Sequence, residues 1–444
     1  MIKSLKYLFV LAAIWNLLVA PAAGSSMSNA SSSMTAVSRW RNGTVNVAVS
    51  SSLLRPNPNM KADSDAVGAV GRSLATWAKA GGITFHESVS EKQNVSPTGN
   101  QGDGISLVTI AATPENLLLF AKNPQETAAS TRVFFDRRGY IAEADIVLNP
   151  YQQFSTDGTF GTFDLESTLT HEIGHLLGLE HSSVLSATMH DNYGKNGMFG
   201  LQNFAQRTLS AVDLSAIRTK YGGDAEGAEE CCSAVSGKII GPNDRSAAGI
   251  QVWAEDADGK LSAEAISGRD GSFRFEGLAI GDYDVFAQGL SGRKINVPAQ
   301  KIGSAEVRAG GDVVVEAKRL TSETSSDLQL QYLGFNGQLA GLALPLSPGR
   351  AYTIYIGGKN LDKQSLSVTF NSPFLKVSPK TMNNVDFGNG ISVVSFDVRV
   401  DAQTPVGEYT LICDAGELGR SAVIGGIAVR NNVNPFSNST LSYE

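Results

Sequence analysis

Cysteine is scarce. There are three in 444 residues, two of them adjacent (Cys231 and Cys232) and the third far away at Cys413. A chain this long with so few is not a disulfide-stapled scaffold. One pair at most can form, Cys413 with either neighbour being one option, and the sequence does not choose. Long apolar runs are missing beyond the first two dozen residues, so nothing later has the composition of a membrane-spanning helix. Positive charge is also short. Lys and Arg number 36 against 43 Asp and Glu, a net charge of −7 with no basic cluster. An acidic chain of this kind is repelled by nucleic-acid phosphate. Histidine is limited to five residues, and three of these fall within eleven positions.

What remains is ordinary globular material, 42% hydrophobic and 18% charged, in a chain long enough for several domains. Residues 1–24 read as a secretory signal peptide. Lys3 and Lys6 precede an apolar run from Leu8 to Ala20, interrupted at Asn16, and Ala20 to Gly24 offers small residues for cleavage. The expectation is export, as a soluble chain made more acidic by the loss of both lysines. Residues 25–36 are rich in Ser, Ala and Asn and are expected to be flexible.

The chemistry gathers in His171-Glu172-Ile173-Gly174-His175-Leu176-Leu177-Gly178-Leu179-Glu180-His181. Histidines four apart on a helix share one face, so one ion can reach both rings. Asp164 fits an N-cap, Glu166 suits the positive first turn, and Leu165, Leu169 and Ile173 recur at core spacing. His181 cannot stay on that helix and still bind. Ten more helical residues would carry it about 15 Å along the axis, whereas a Zn–N bond is about 2 Å. The chain must turn back, and Gly178 is the residue suited to a left-handed helix end. Three imidazoles would then hold one zinc, with Glu172 beside the first ligand placed to take a proton from water.

This run resembles the zinc signature of the metzincin metalloproteases, H-E-x-x-H-x-x-G-x-x-H, with every specified position filled. Ser182 after the third histidine, followed by Ala187-Thr188-Met189, is similar to the matrixin branch, whose methionine turn closes beneath the metal. The resemblance covers roughly residues 36–222. It implies an α+β catalytic domain with a mixed sheet and a zinc helix, acting on a protein or peptide substrate. It also implies that Met189 supports the floor of the site and that Tyr193 stands in the pocket wall. His190 and Asp191 replace the aromatic residue and proline usual there, so the pocket is altered. No cysteine-bearing propeptide fits between leader and first strand. Outside the motif only His86 and His190 remain, too few for a second, structural zinc. One zinc is expected, and calcium stays open.

Ahead of the motif, strands are expected at Val45–Val49, from Ile83, and over Gly104–Ala111, Thr131–Asp136 and Ile141–Leu148. A helix over Asp65–Lys79 buries Val67, Val70, Leu74 and Trp77. One strand within 131–148 should form the edge over the cleft, where an extended peptide could add itself to the sheet. A last helix starts at Leu209 and ends near Tyr221, closing a catalytic domain over 37–222.

Residues 223–235 read as an acidic linker. Two all-β sandwich domains follow, at 236–320 and 328–430, joined by a linker at 321–327, with a loose tail at 431–444. Alternation in Phe273/Phe275 and Tyr283/Val285/Ala287 supports half-buried strands, and the first sandwich resembles a carboxypeptidase-regulatory-like module. Pro405 to Tyr409 resembles the last hairpin of a bacterial Ig-like domain. A spacer role suits both modules. The rival reading makes them the functional part, in an adhesin or a carbohydrate-, matrix- or cell-surface-binding protein.

Overall fold

The computed structural model describes residues 22–23, 26–29, 38–97, 102–201, 207–222, 233–241, 245–291, 294–321, 328–388 and 390–431. The leader expected over 1–24 lies outside them except for Ala22 and Ala23. Among the described residues no helix is long and apolar enough to cross a membrane.

The N-terminal unit is built on one mixed sheet. Its strands are β1 (Ser26–Asn29), β2 (Thr44–Ser50), β3 (Thr84–Ser90), β4 (Ser106–Thr109), β5 (Ala129–Phe135) and β6 (Ile141–Leu148), in the order β1-β5-β6-β4-β2-β3. Only β5 and β6 pair antiparallel. Within the stretch expected to be flexible, Ser26–Asn29 lies extended along the outer edge of β5. That edge would otherwise present unpaired N–H and C=O groups.

Helix α1 (Ala66–Gly81) starts where the Asp65 carboxylate accepts from the Gly68 N–H and ends at Gly82, in the left-handed region at φ +62°. Val70, Leu74 and Trp77 are buried, as their spacing requires, but Val67 is 42% exposed and belongs to the outer face. Helix α2 (Leu165–Leu176) is buried along its whole length, enclosed by α1, β5 and β6. Its polar residues are therefore tied by hydrogen bonds: the Trp77 indole donates to Thr170 O at 2.6 Å, and Ser73 Oγ to Glu166 O at 3.0 Å. Helix α3 (Ala211–Tyr221) opens on a capping box between Ser210 and Asp213 and closes at Gly222.

Both downstream modules are pairs of sheets around a shared core. The first combines a three-stranded and a four-stranded sheet, with Val235, Phe273 and Phe275 facing Val252, Val285 and Ala287. Its opening strand, Ser233–Ile240, starts inside the stretch assigned to the acidic linker. The second combines five- and four-stranded sheets. Cys413 sits in its core as a free thiol, enclosed with Tyr409 and Leu411. Cys231, Cys232 and residues 322–327 lie outside the described residues.

Candidate metal site

Helix α2 delivers two histidines because its start and end are both fixed. Asp164 caps the first turn by accepting from the Ser167 N–H at 2.9 Å, and the Arg207 guanidinium grips the same carboxylate. Such a cap stabilises a helix by about 1 kcal/mol. At the other end the Gly178 N–H reaches His175 O at 2.8 Å and the Leu179 N–H reaches Gly174 O at 2.9 Å. This pair of bonds needs a left-handed residue between them, and Gly178 supplies it at φ +85°. A Cβ there would also lie 2.0 Å from Ser38 O. The Trp40 indole and the Tyr221 hydroxyl satisfy the next carbonyls, Leu176 O and Leu177 O. The chain leaves at an angle that brings His181 back over the helix face.

The three rings converge. His171 Nε2 lies 3.0 Å from His175 Nε2, and His175 Nε2 lies 3.1 Å from His181 Nε2. Nitrogen ligands of a tetrahedral ion with bonds of about 2.0–2.1 Å are spaced by about 3.3 Å, so the set fits zinc. Among the described residues this is the group of three His, Cys, Asp or Glu side chains placed to share an ion. The opposite ring nitrogens meet carbonyls: His171 Nδ1 faces Thr188 O at 2.6 Å and His175 Nδ1 faces Leu179 O at 2.8 Å. A carbonyl only accepts, so the proton is on Nδ1 and the Nε2 lone pair is left for a metal. Burial, then the charges of its neighbours, holds His171 well below the usual imidazole range. The same causes bring His175 down to about 3, and burial lowers His181. All three are neutral at pH 7, the state a cation needs.

Glu172 is fully buried beside them and accepts from Thr131 Oγ1 at 2.5 Å. Thr131 lies on β5, which is not the sheet edge expected within 131–148, because Ser26–Asn29 pairs along its outer side. Met189 packs beneath the helix at Gly174, where an added Cβ would come within 2.2 Å of its Sδ. The Met189 turn is held by Asp213, which accepts from the Thr188 N–H at 2.8 Å and the Met189 N–H at 3.1 Å. Burial pushes the Asp213 carboxyl up, against the pull of those bonds. His190 is outside the triad, with Nδ1 facing Ser182 O at 3.2 Å, and His86 is exposed on β3. Tyr193 lies in a two-residue strand, Asn192–Tyr193, laddered to Ala22–Ala23.

Thr131 and Asp213 were not expected at the site. The Ser210-x-x-Asp213 spacing could have placed Asp213 at a helix start. No local pattern announces that its second role is to hold a turn 24 residues earlier.

Comparison with known proteins agrees with this geometry. Residues 39–222 match the matrixin family of M10 peptidases. Over those residues the chain resembles a matrixin domain. Matrixins use a catalytic zinc, and the three-histidine cluster of this chain fits such a site. Residues 234–327 match the carboxypeptidase regulatory-like domain. "Metalloendoproteinase 1" of Glycine max is 30% identical over 189 residues, 41% of this chain and 53% of that protein, so the match spans about half the length of that relative. Among solved structures, the major pilin subunit of Bacillus cereus aligns at 18% identity over 43% of this chain and 67% of its own, with a TM-score of 0.19. A glucan-utilisation-locus protein of Bacteroides ovatus, solved with a mixed-linkage heptasaccharide, aligns at 15% identity over 47% and 45%, with a TM-score of 0.17. Scores that low carry no inference about the matrixin domain or the modules.

Proposed function

We propose that this chain is a secreted zinc-dependent endopeptidase that hydrolyses internal peptide bonds of protein substrates. The observation that carries the reading is the convergence of three neutral Nε2 atoms beside a buried carboxylate. His171, His175 and His181 would hold one zinc, which when bound supplies Lewis acidity and lowers the pKa of a water to about 7. The chain's own residues do the rest. Glu172 takes the proton of the attacking water and then hands it to the leaving amine. Thr131 Oγ1 orients that carboxylate, and Met189 keeps the helix floor in register. An extended substrate that took the place of Ser26–Asn29 along β5 would run past Thr131 and the carboxylate it binds. The pairing of Ser26–Asn29 there supports the capacity of β5 to take a strand. The leader-like pattern of residues 1–24, with Lys3 and Lys6 ahead of an apolar run, supports export.

Casein zymography of the zinc-loaded full chain, with and without a chelator, is the test. Clearing that the chelator abolishes and zinc restores is expected. No clearing by the loaded protein would end the reading.

A further inference from the structure

The segment from His181 to Leu201 carries the third histidine, Met189 and the Tyr193 loop, yet it contains only one two-residue strand and one tight turn of regular structure. Backbone this irregular must be held from outside. The catalytic domain supplies Asp213 at Thr188 and Met189, the His171–Thr188 contact, and bonds from Thr162, Gly161 and Gln152 to Asn196 and Lys195. Much of the remaining hold comes from the downstream modules.

Glu264, on the first module's strand Leu261–Ile266, reaches the residues directly after the third histidine. Its Oε1 accepts from Ser182 Oγ at 2.6 Å and the Ser183 N–H at 3.1 Å, and its Oε2 accepts from Ser183 Oγ at 2.9 Å. Gln251 Nε2 donates to the same Ser183 hydroxyl at 2.6 Å. Two residues on, the Leu185 N–H donates to Ile424 O of the second module at 3.1 Å. Gly425 is so close that a Cβ would lie 2.4 Å from Ser186 Oγ. Beneath these bonds lies a dry cluster shared by all three units: Val184 and Val212, Trp253 and Phe286, Ile412 and Ile424. The far end of the segment is plugged into the second module. Phe199, fully buried at φ +56°, packs with Phe335, and Gln338 and Asn336 bind its N–H and C=O.

A tethered spacer would leave this loop to the catalytic domain. We infer instead that both β-modules are parts of the active site, bracing the loop that carries the third zinc ligand and the pocket wall, with Glu264 the positioning residue that acts on His181 through Ser182. The inference rests on the zinc reading above. Partners that orient a ligand are worth about 10–100-fold in metal affinity or activity when removed.

The test compares full-length Glu264→Ala, Glu264→Gln and a control, Glu306→Ala, whose carboxylate is exposed on the same module. Zinc affinity is read by chelator competition and turnover by kcat/KM on a quenched peptide. Glu264→Ala is expected to bind zinc about tenfold more weakly and to lose kcat/KM in step, with Glu264→Gln recovering much of both and Glu306→Ala unchanged. Parent-like values for Glu264→Ala, or an equal loss in the control, would overturn the bracing. Limited proteolysis of loop 182–201, in a Glu172→Ala background that cannot digest itself, separates this inference from the zinc reading. Faster nicking with Glu264→Ala supports bracing even if the parent hydrolyses nothing, and unchanged nicking overturns it.

Discussion

Gly174 sits between two of the three converging histidines in the middle of a buried helix, and replacing it with alanine sets two effects of known size against each other. In an ordinary helix interior the change is favourable by about 1 kcal/mol, because alanine restricts the unfolded backbone. Here the new methyl would lie 2.2 Å from Met189 Sδ and 3.0 Å from Trp77 Cζ2, where carbon contacts settle at about 3.5–4.0 Å. Neither neighbour can retreat into solvent, since Met189 is 2% exposed and Trp77 0%. Overpacking of this kind costs about 1–3 kcal/mol. The net expectation is a loss of about 1 kcal/mol where propensity alone forecasts an equal gain. Displacement also reaches the metal, because Met189 O accepts the Ser182 N–H at 2.8 Å, next to His181. Hydrogen exchange of the α2 amides reads this helix separately from the modules. Gly174→Ala should reduce their protection and weaken zinc binding. The double variant with Met189→Ala should cost about 1–3 kcal/mol less than the sum of its parts, as the methyl enters vacated space. Protection equal to or above the parent, with additive single effects, would refute the packing argument.

Acidification should destabilise the metal-free protein. The folded pKa of His175 is depressed to about 3 from 6.5, so the unfolded chain binds the extra proton between those values and stability falls as pH drops through that window. From pH 7.5 to 5 this one group accounts for a loss of about 2 kcal/mol, measurable as a lower urea midpoint of chelated protein. Unchanged midpoints would contradict the buried neutral state. Asp213→Ala strands the N–H groups of Thr188, Met189 and Ser210 and should cost about 3 kcal/mol, with melting temperature and zinc content falling together. Full zinc occupancy at the parent melting temperature would contradict its role. Burial raises the Cys413 thiol and encloses it, so thiol reagents should label it only after unfolding. Peptide mapping that finds native labelling there would place it wrongly.

The legible part of this chain was the part written in short-range spacing. The Asp164 cap, the i/i+4 histidines and Gly178 each act within one or two helical turns, so residue type and interval carried their geometry. The catalytic strands and helices followed for the same reason, with ends displaced by a few residues where tertiary hydrogen bonds decide the last pair. Val67 shows the limit: it shares a helical stripe with Val70 and Leu74, yet nothing packs on that side of the turn. Contacts over long separations left no trace. Glu264 meets Ser182 across 82 residues and Asn336 meets Phe199 across 137. In sequence Glu264 is one more acidic residue on an alternating strand. Phe199 looks like a loop aromatic, and its left-handed backbone gives no signal in residue type. From sequence the modules read as spacers, and nothing in it announced the side chains that their sheets extend to the segment after His181.

The most direct test of the central claim, a metal held by three histidines with Glu172 handling the proton, is the pair of numbers obtained from purified Glu172→Ala: zinc per chain and kcat/KM. Because Glu172 stands outside the convergent Nε2 set, zinc should remain at one per chain while peptide hydrolysis drops by roughly 100-fold or more. Zinc lost along with activity would make Glu172 part of the metal's support, and hydrolysis at the parent rate would remove it from the chemistry.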